Sequence, residues 1–546
     1  MIEAIYYNGT IYTMIREGAS VSAVAVSGGR IEAAGTDEEI LAMAEKHTYL
    51  CDLKGRCVVP GFTDSHCHLM ATGLDLIRLD LRGVRSWDEI IVRGRAFIEE
   101  HPPAPGEWVI GYGFDHNIFD DPILPDIHVA ESISTQYPVF LDRICGHVGT
   151  VNRKVLEIAG YDDDTVVTGG VLDKDENGHL NGILREAALD YIRRLVPVPD
   201  VNMLARSAKK TMDIANSFGI TSMHTDDLES ADFDSVMAAY DLLKSRGEMT
   251  VRVWEEVQQP RVPQLKNFLQ RNMTTGWGDE YFRIGNIKIL TDGSLGARTA
   301  YMRQDYADDP GNRGVAVYTQ EALDEVVELG HRSGMQMAFH AIGDGAVEQC
   351  VRAVEKAQNA WLQKKLRHRI VHCQIAGRDL LERLAAAGIG ADIQPAFTAS
   401  DAPLVGSRLG KEREQESYMW KTMLDVGMTI GGGSDSPVET LNPLWGIYCA
   451  VTRKDGEHKP EGGWHPTERL SVYEAVSLYT RGGAYMSFDE KEKGQIAAGY
   501  LADMAVLSKD IFKTDPEEIA DISVELTIMG GKICYEKDHS APLLCS

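Results

Sequence analysis

Two textures alternate along this chain. From Pro60 to about residue 488, short apolar runs (GITSMH, FRIGNIKIL, MQMAFH, HRIVHC, GIGADIQ, MTIGGGSD) are separated by stretches of helical period such as TQEALDEVVELGHRSG and RDLLERLAAAG. Repeated strand–helix units predict an α/β fold with a parallel sheet, and their number favours a closed (β/α)8 barrel of the TIM type over an open sheet. Residues 1–60 read instead as short strands with turns. IYYNGTIYTM carries an Asn8-Gly9 hairpin signal, and VSAVAVSGGRIEAAG sets Gly28-Gly29 between apolar runs. The same texture returns in 489–546, in GQIAAGYLADMAVLS and VELTIMGGKICYE. One small β-sandwich built from both chain ends is therefore expected around a barrel over 61–488.

The spacing inside the barrel region is uneven. The stretch between HCHL and GITSMH is too long for one or two strand–helix units, and it holds HPPAPG, YDDDT and an amphipathic ALDYIRRL. It predicts an insertion at about 70–215, near the barrel mouth, where it would cover a site.

Composition narrows the function classes. The 546 residues carry a formal net charge of −27 and no basic stripe, which disfavours a nucleic-acid partner. No run approaches the roughly 18 consecutive apolar residues of a spanning helix, so no membrane partner is expected, and the start lacks the pattern of a secretory signal. Nine scattered Cys without a CxxC pair fit neither a disulfide framework nor a zinc ribbon and suit a reducing cytoplasm. The expected partner is a small-molecule substrate, with a homodimer as the common default.

The sharpest chemical feature is PGFTDSHCHL. On a strand, positions i and i+2 share a face, so His66 and His68 can converge on one ion; two histidines at a polar strand end is the plainer reading. His340 and His372 each close a strand-like run, one strand–helix unit apart, where barrel enzymes carry their working groups. Asp435 follows another apolar run and reads either as a helix cap or as a further ligand. Lys288 lies inside an apolar run, where an ammonium is costly. Either it pairs with Asp292, four residues on, or burial favours the neutral amine, which adds CO2 to give a carbamate able to bridge two metal ions. His66, His68, Lys288, His340, His372 and Asp435 together form a mixed imidazole and carboxylate set suited to one or two Zn²⁺ or another divalent first-row ion.

This constellation resembles the metal-dependent amidohydrolase superfamily. The words GFTDSHCHL, IKILTDGSLGARTA, FHAIGDGAV, RIVHCQ, SDAPLVGSRLG, GSDSPVETLNPLWGIYCAVTR and GQIAAGYLADMAVL are similar to its YtcJ-like branch, to which N-substituted formamide deformylases belong. The resemblance spans essentially the whole chain. It implies HxH on the first barrel strand at His66 and His68, a carboxylated lysine at Lys288, histidines of the fifth and sixth strands at His340 and His372, and an eighth-strand aspartate at Asp435. Val371 departs from the branch, which often has an acidic residue before that histidine. Glu186 is a fallback carboxylate should Lys288 be unmodified.

Further substrate-facing candidates are His147 and Asn152 in RICGHVGTVN, His224 ending GITSMH, and Tyr112, Phe114 and Asp115 in GYGFDHNIF; packing or capping explains each equally well. The expected activity is hydrolysis of a carbon–nitrogen bond other than a peptide bond, in an amide or N-substituted formamide, by a metal-activated water. Asp435 would act as ligand and base, with His147 or His224 steadying the oxyanion. The alternatives are a ring deaminase of the same superfamily and a non-catalytic barrel scaffold. All six ligand positions hold competent residues, which argues against the scaffold.

Overall fold

The computed structural model describes residues 1–145, 147–362 and 366–537. The residues beyond, 538–546 with Cys545, belong to the expected sandwich and lie outside the described part. Two compact units divide the chain: Met1–Ala71 with Ala208–Ser546, and Thr72–Ser207.

The first unit contains a TIM barrel. Its eight strands, numbered in order, are β1 Phe62–Cys67, β2 Ile220–Thr225, β3 Arg252–Gln258, β4 Phe282–Leu290, β5 Gln336–Ala341, β6 Arg369–His372, β7 Gly390–Ile393 and β8 Ile430–Gly432. Each pairs in parallel with its sequence neighbour. The seam between β8 and β1 is closed just past β8, where Asp435 N–H donates to the His66 carbonyl at 2.9 Å and His68 N–H to the Ser436 carbonyl at 2.8 Å. Parallel strands covered on both faces read as nearly continuous apolar runs, as FRIGNIKIL does. The crossover helices carry ordinary punctuation: Thr319 caps Gln320–Arg332 by accepting from Ala322 N–H, and that helix buries Leu323, Val326 and Val327.

The sandwich is assembled from both ends of the chain. Its four-stranded sheet holds Arg30–Gly35, Ala23–Ser27, Ala4–Tyr7 and Tyr49–Asp52; the six-stranded sheet includes Thr10–Tyr12, Cys57–Pro60, Met504–Leu507 and Val524–Met529. Tyr6, Val24, Val26, Ile31, Val58, Met504, Val506, Leu526 and Ile528 pack into one core. The distant ends meet where Val59 pairs with Ala505. Gly28-Gly29 makes the expected hairpin: Ser27 pairs with Arg30, and both glycines have positive φ, 57° and 73°. Asn8-Gly9 does not. The strands on either side belong to different sheets, so the Asn8 turn (φ 57°) carries the chain from one sheet to the other. A positive-φ dipeptide fixes a sharp change of direction; which strand the outgoing segment pairs with is decided by the competing edges.

The second unit folds around its own six-stranded sheet, in the order Gly170–Lys174, Leu180–Glu186, Val148–Val151, Val139–Arg143, Val109–Phe114, Leu79–Asp80. Leu79, Val109, Phe114, Val139 and Leu141 share one core. Among the described residues no helix is long and apolar enough to cross a membrane.

Candidate metal centre

Four histidines and one aspartate gather at the C-terminal ends of the barrel strands. His66 is on β1 and His68 one residue past it, with ring centroids 5.3 Å apart. His340 is on β5 and His372 ends β6; their rings lie 4.6 Å apart, and His372 is 5.7 Å from His66. Asp435, in the seam, brings Oδ1 to 3.3 Å from His66 Nε2 and 3.2 Å from His68 Nε2. Two of these residues hold backbone that costs energy: His372 at φ 76° and Asp435 at φ 57°. A non-glycine residue in this region costs on the order of 1–3 kcal/mol, strain of the kind that concentrates at functional sites.

Each imidazole is held through Nδ1. His66 Nδ1 is 3.0 Å from Glu256 Oε2, His340 Nδ1 3.1 Å from Asp292 Oδ1, His372 Nδ1 2.8 Å from Gln394 Oε1 and His68 Nδ1 3.2 Å from the Asp226 carbonyl. An acceptor at every Nδ1 takes that nitrogen's N–H and turns Nε2 to the centre, the arrangement that supports imidazoles as metal ligands. Ligand atoms of His66, His372 and Asp435 lie within 4.8 Å of one another, as do those of His68, Asp226 and Glu229. The donor set therefore fits a divalent first-row ion.

His66 and His68 turn Nε2 towards Asp435, where either shared protons or a divalent ion satisfies the three groups. Burial opposes the charge of Asp435, yet hydrogen bonds from His66 and His68 hold its carboxyl well below the usual range. Burial and Lys288 pull His66 down, but Glu256 and Asp435 overcome them and push it up to about 9. Burial, with His340 beside it, drives His372 well below the ordinary imidazole value, so its ring is neutral.

Lys288, on β4, is buried at the same centre, with Nζ 3.0 Å from His66 Nε2 and 3.5 Å from Glu256 Oε2. Its carboxylate neighbour is thus Glu256 on the adjacent strand. Asp292, the partner offered by sequence spacing, instead accepts from the backbone of Tyr301, Ile342 and Gly343 and orients His340. The candidate ligands line a cavity of about 450 Å³, with Leu290, Leu295, Ile342, Phe397 and Val438 on its walls and Ser400 and Asp401 as polar contacts.

His224 is on β2 but fully buried in the barrel interior, where Nδ1 accepts from Arg369 at 3.0 Å and burial keeps the ring neutral. It does not line the cavity. His147 is exposed in the second unit, where its Nδ1 pairs with Glu186 Oε2 at 3.1 Å. Asn152 caps the helix Arg153–Ala159. Phe114 is core, Asp115 binds Arg143 at 2.6 Å, and the Tyr112 ring lies under Arg82.

The residues not anticipated are the supports: Glu256, Gln394 and Asp64. Asp64 accepts from His66 N–H at 3.2 Å and from Ser434 N–H and Oγ at 3.0 and 2.6 Å, tying the two sides of the seam. A signal existed for Glu256, in the paired carboxylates inside VWEEVQ, the same polar-in-apolar anomaly that marked Lys288.

Histidines and an aspartate gathered at the strand C-termini of a (β/α)8 barrel are placed where barrel enzymes carry their working groups. The chain belongs to the amidohydrolase family, whose model matches residues 50–535. It is 36% identical over 540 residues to the putative amidohydrolase YtcJ of Bacillus subtilis (strain 168), covering 98% of this chain and 100% of that protein. It is 24% identical over 582 residues to the N-substituted formamide deformylase of Arthrobacter pascens, covering 99% of each. An uncharacterized metal-dependent hydrolase from Pyrococcus furiosus superposes with a TM-score of 0.77 at 29% identity, over 93% of this chain and all of that one.

Proposed function

We propose that the protein hydrolyses the carbon–nitrogen bond of a small N-acyl or N-substituted formyl amine, with one or two divalent first-row ions, Zn²⁺ foremost, held by His66, His68, His340, His372 and Asp435. The observation that carries this reading is the shared polarity of the four imidazoles, each engaged at Nδ1 with its Nε2 turned to the centre, around the Asp435 carboxylate. Similarity to a formamide deformylase supports the bond type. Lys288 completes the set as a carbamate formed with CO2.

A bound divalent ion supplies Lewis acidity to the scissile carbonyl and to the attacking water. Asp435, held ionised by His66 and His68, takes the proton from that water at its carboxylate and returns it to the departing nitrogen, which leaves poorly as an anion. Leu290, Leu295, Ile342 and Phe397 give the substrate an apolar wall and exclude water from the carbonyl. The Phe397 ring lies nearly parallel to that of His372, 11° apart in plane with centroids 6.2 Å apart.

One observation favours a ring deaminase as the second reading. Lys288 beside Glu256 is at home as an ammonium, and a site without a carbamate suits a single ion. Elemental analysis of the purified protein, with chelation and metal re-addition against a panel of N-formyl amines, N-acyl amines and aminated heterocycles, tests both. Release of acid that is lost on chelation and restored by Zn²⁺ supports the amide reading; ammonia from the heterocycles alone overturns it.

A further inference from the structure

Beneath the candidate metal centre the barrel interior contains an ionic cluster that no step of the proposed hydrolysis uses. Glu256 and Arg369 are both fully buried, and Arg369 Nη2 donates to Glu256 Oε1 at 2.6 Å. Asn286 Nδ2 donates to the same oxygen at 3.1 Å. The other oxygen, Oε2, faces His66 Nδ1 at 3.0 Å and Lys288 Nζ at 3.5 Å. The far side of Arg369 is fixed as well, with Nη1 3.0 Å from His224 Nδ1 and 3.1 Å from Asp392 Oδ2.

An ion pair in a barrel core is a poor means of gaining stability. Desolvating both charges offsets most of their attraction, and apolar side chains of like volume do as well or better. Apolar side chains cannot, however, accept the Nδ1–H of an imidazole. The geometry points to Glu256 as a positioning residue, clamped by Arg369, that fixes the tautomer and orientation of His66. Oε1 is committed to Arg369 and Asn286, so the carboxylate cannot rotate away and Oε2 has one direction to face. That direction selects the Nδ1–H form of His66 and aims Nε2 at the centre. The cluster also accounts for His224 and Asp392, which hold Arg369.

The inference rests on His66 being a metal ligand, and outer partners of ligating histidines are worth about 10–100-fold in metal affinity. The test measures Zn²⁺ affinity by competition with a chromophoric chelator, and the visible spectrum of the Co²⁺ form, on the full chain and three variants. Glu256→Gln keeps the volume; its single carbonyl oxygen cannot serve Arg369 and His66 together. Glu256→Met/Arg369→Leu/Asp392→Asn removes the paired charges together and guards against a single variant that fails to fold. His66→Asn reports on the ligand itself. The expected result is affinity weakened about 10–100-fold in the folded Glu256 variants, with a changed Co²⁺ spectrum, and a larger loss in His66→Asn. Wild-type affinity and spectrum in a folded Glu256 variant, with only a lower unfolding temperature, would make the cluster structural and overturn the proposal. Wild-type affinity in His66→Asn as well would overturn the ligand assignment beneath it.

Discussion

His66 and Asp435 are joined twice: through the backbone, where Asp435 N–H donates to the His66 carbonyl at 2.9 Å, and through the side chains, where Asp435 Oδ1 lies 3.3 Å from His66 Nε2. The seam that closes the barrel is thus the same object as the core of the candidate metal centre. Anything that opens the seam disperses the ligands.

Asp435→Asn separates the seam from the chemistry. Asparagine is among the few non-glycine residues that tolerate a left-handed backbone, so φ 57° persists and the fold survives. The amide cannot take a proton from water. We expect kcat to fall about 10²–10⁴-fold with unchanged circular dichroism, read on whichever amide the substrate panel identifies. A kcat near that of the wild type would remove Asp435 from the proton path.

Gly433→Ala attacks the seam itself. A Cβ there would sit 2.7 Å from His66 N, 2.8 Å from His66 O and 3.1 Å from Asp64 Oδ1. Two of these atoms are backbone and cannot turn aside. The variant should lose about 1–3 kcal/mol of stability by chemical denaturation and bind metal more weakly at once, because β8 must retreat from β1. Reduced stability with intact metal content would uncouple the two.

Asp503→Ala tests how the sandwich is fastened to the barrel. Arg252 on β3 donates to Asp503 through Nε at 2.7 Å and Nη2 at 3.0 Å, and both side chains are buried. Removing the carboxylate leaves a buried guanidinium facing Glu280 and the Tyr281 ring, with no carboxylate in bidentate contact. A loss of about 3–5 kcal/mol is expected in urea unfolding, with the metal centre intact in the surviving native protein.

His368 gives the chain an acid-sensitive point away from the ligands. Burial, with His331 beside it, pushes its imidazole from the ordinary 6.5 down to about 3, while Nδ1 accepts from Met337 N–H at 2.9 Å. Below pH 6.5 the unfolded chain therefore takes up a proton that the folded protein refuses. The stability this group contributes is present above pH 6.5 and drains away as pH falls towards 3, by up to about 1.4 kcal/mol per unit. His368→Asn, whose carbonyl oxygen replaces Nδ1, should flatten the fall of unfolding temperature across that window. An equally steep profile would assign the acid sensitivity to other groups.

What the chain declares locally was legible. A strand alternates sides every residue, which is why His66 and His68 could be assigned to one face; a helix buries every third or fourth position, which is why the crossover helices stood out between the apolar runs. Strand ends could be located, and with them His340, His372 and Asp435. The paired positive-φ glycines at 28 and 29 specified their own turn. None of these readings needs a neighbour from another segment. The partner of Lys288 does: spacing offered Asp292, but barrel registry sets Lys288 beside Gln258 on β3, close to Glu256, and turns Asp292 towards His340. His224 shares the strand-end signal of the ligands and yet faces a buried arginine, and Asn8-Gly9 turns into a different sheet from the one it leaves. In each case the outcome depends on which segments stand at equal height across the barrel or along a sheet edge. Strand tilt, stagger and competition for edges fix that height only once the chain has closed on itself.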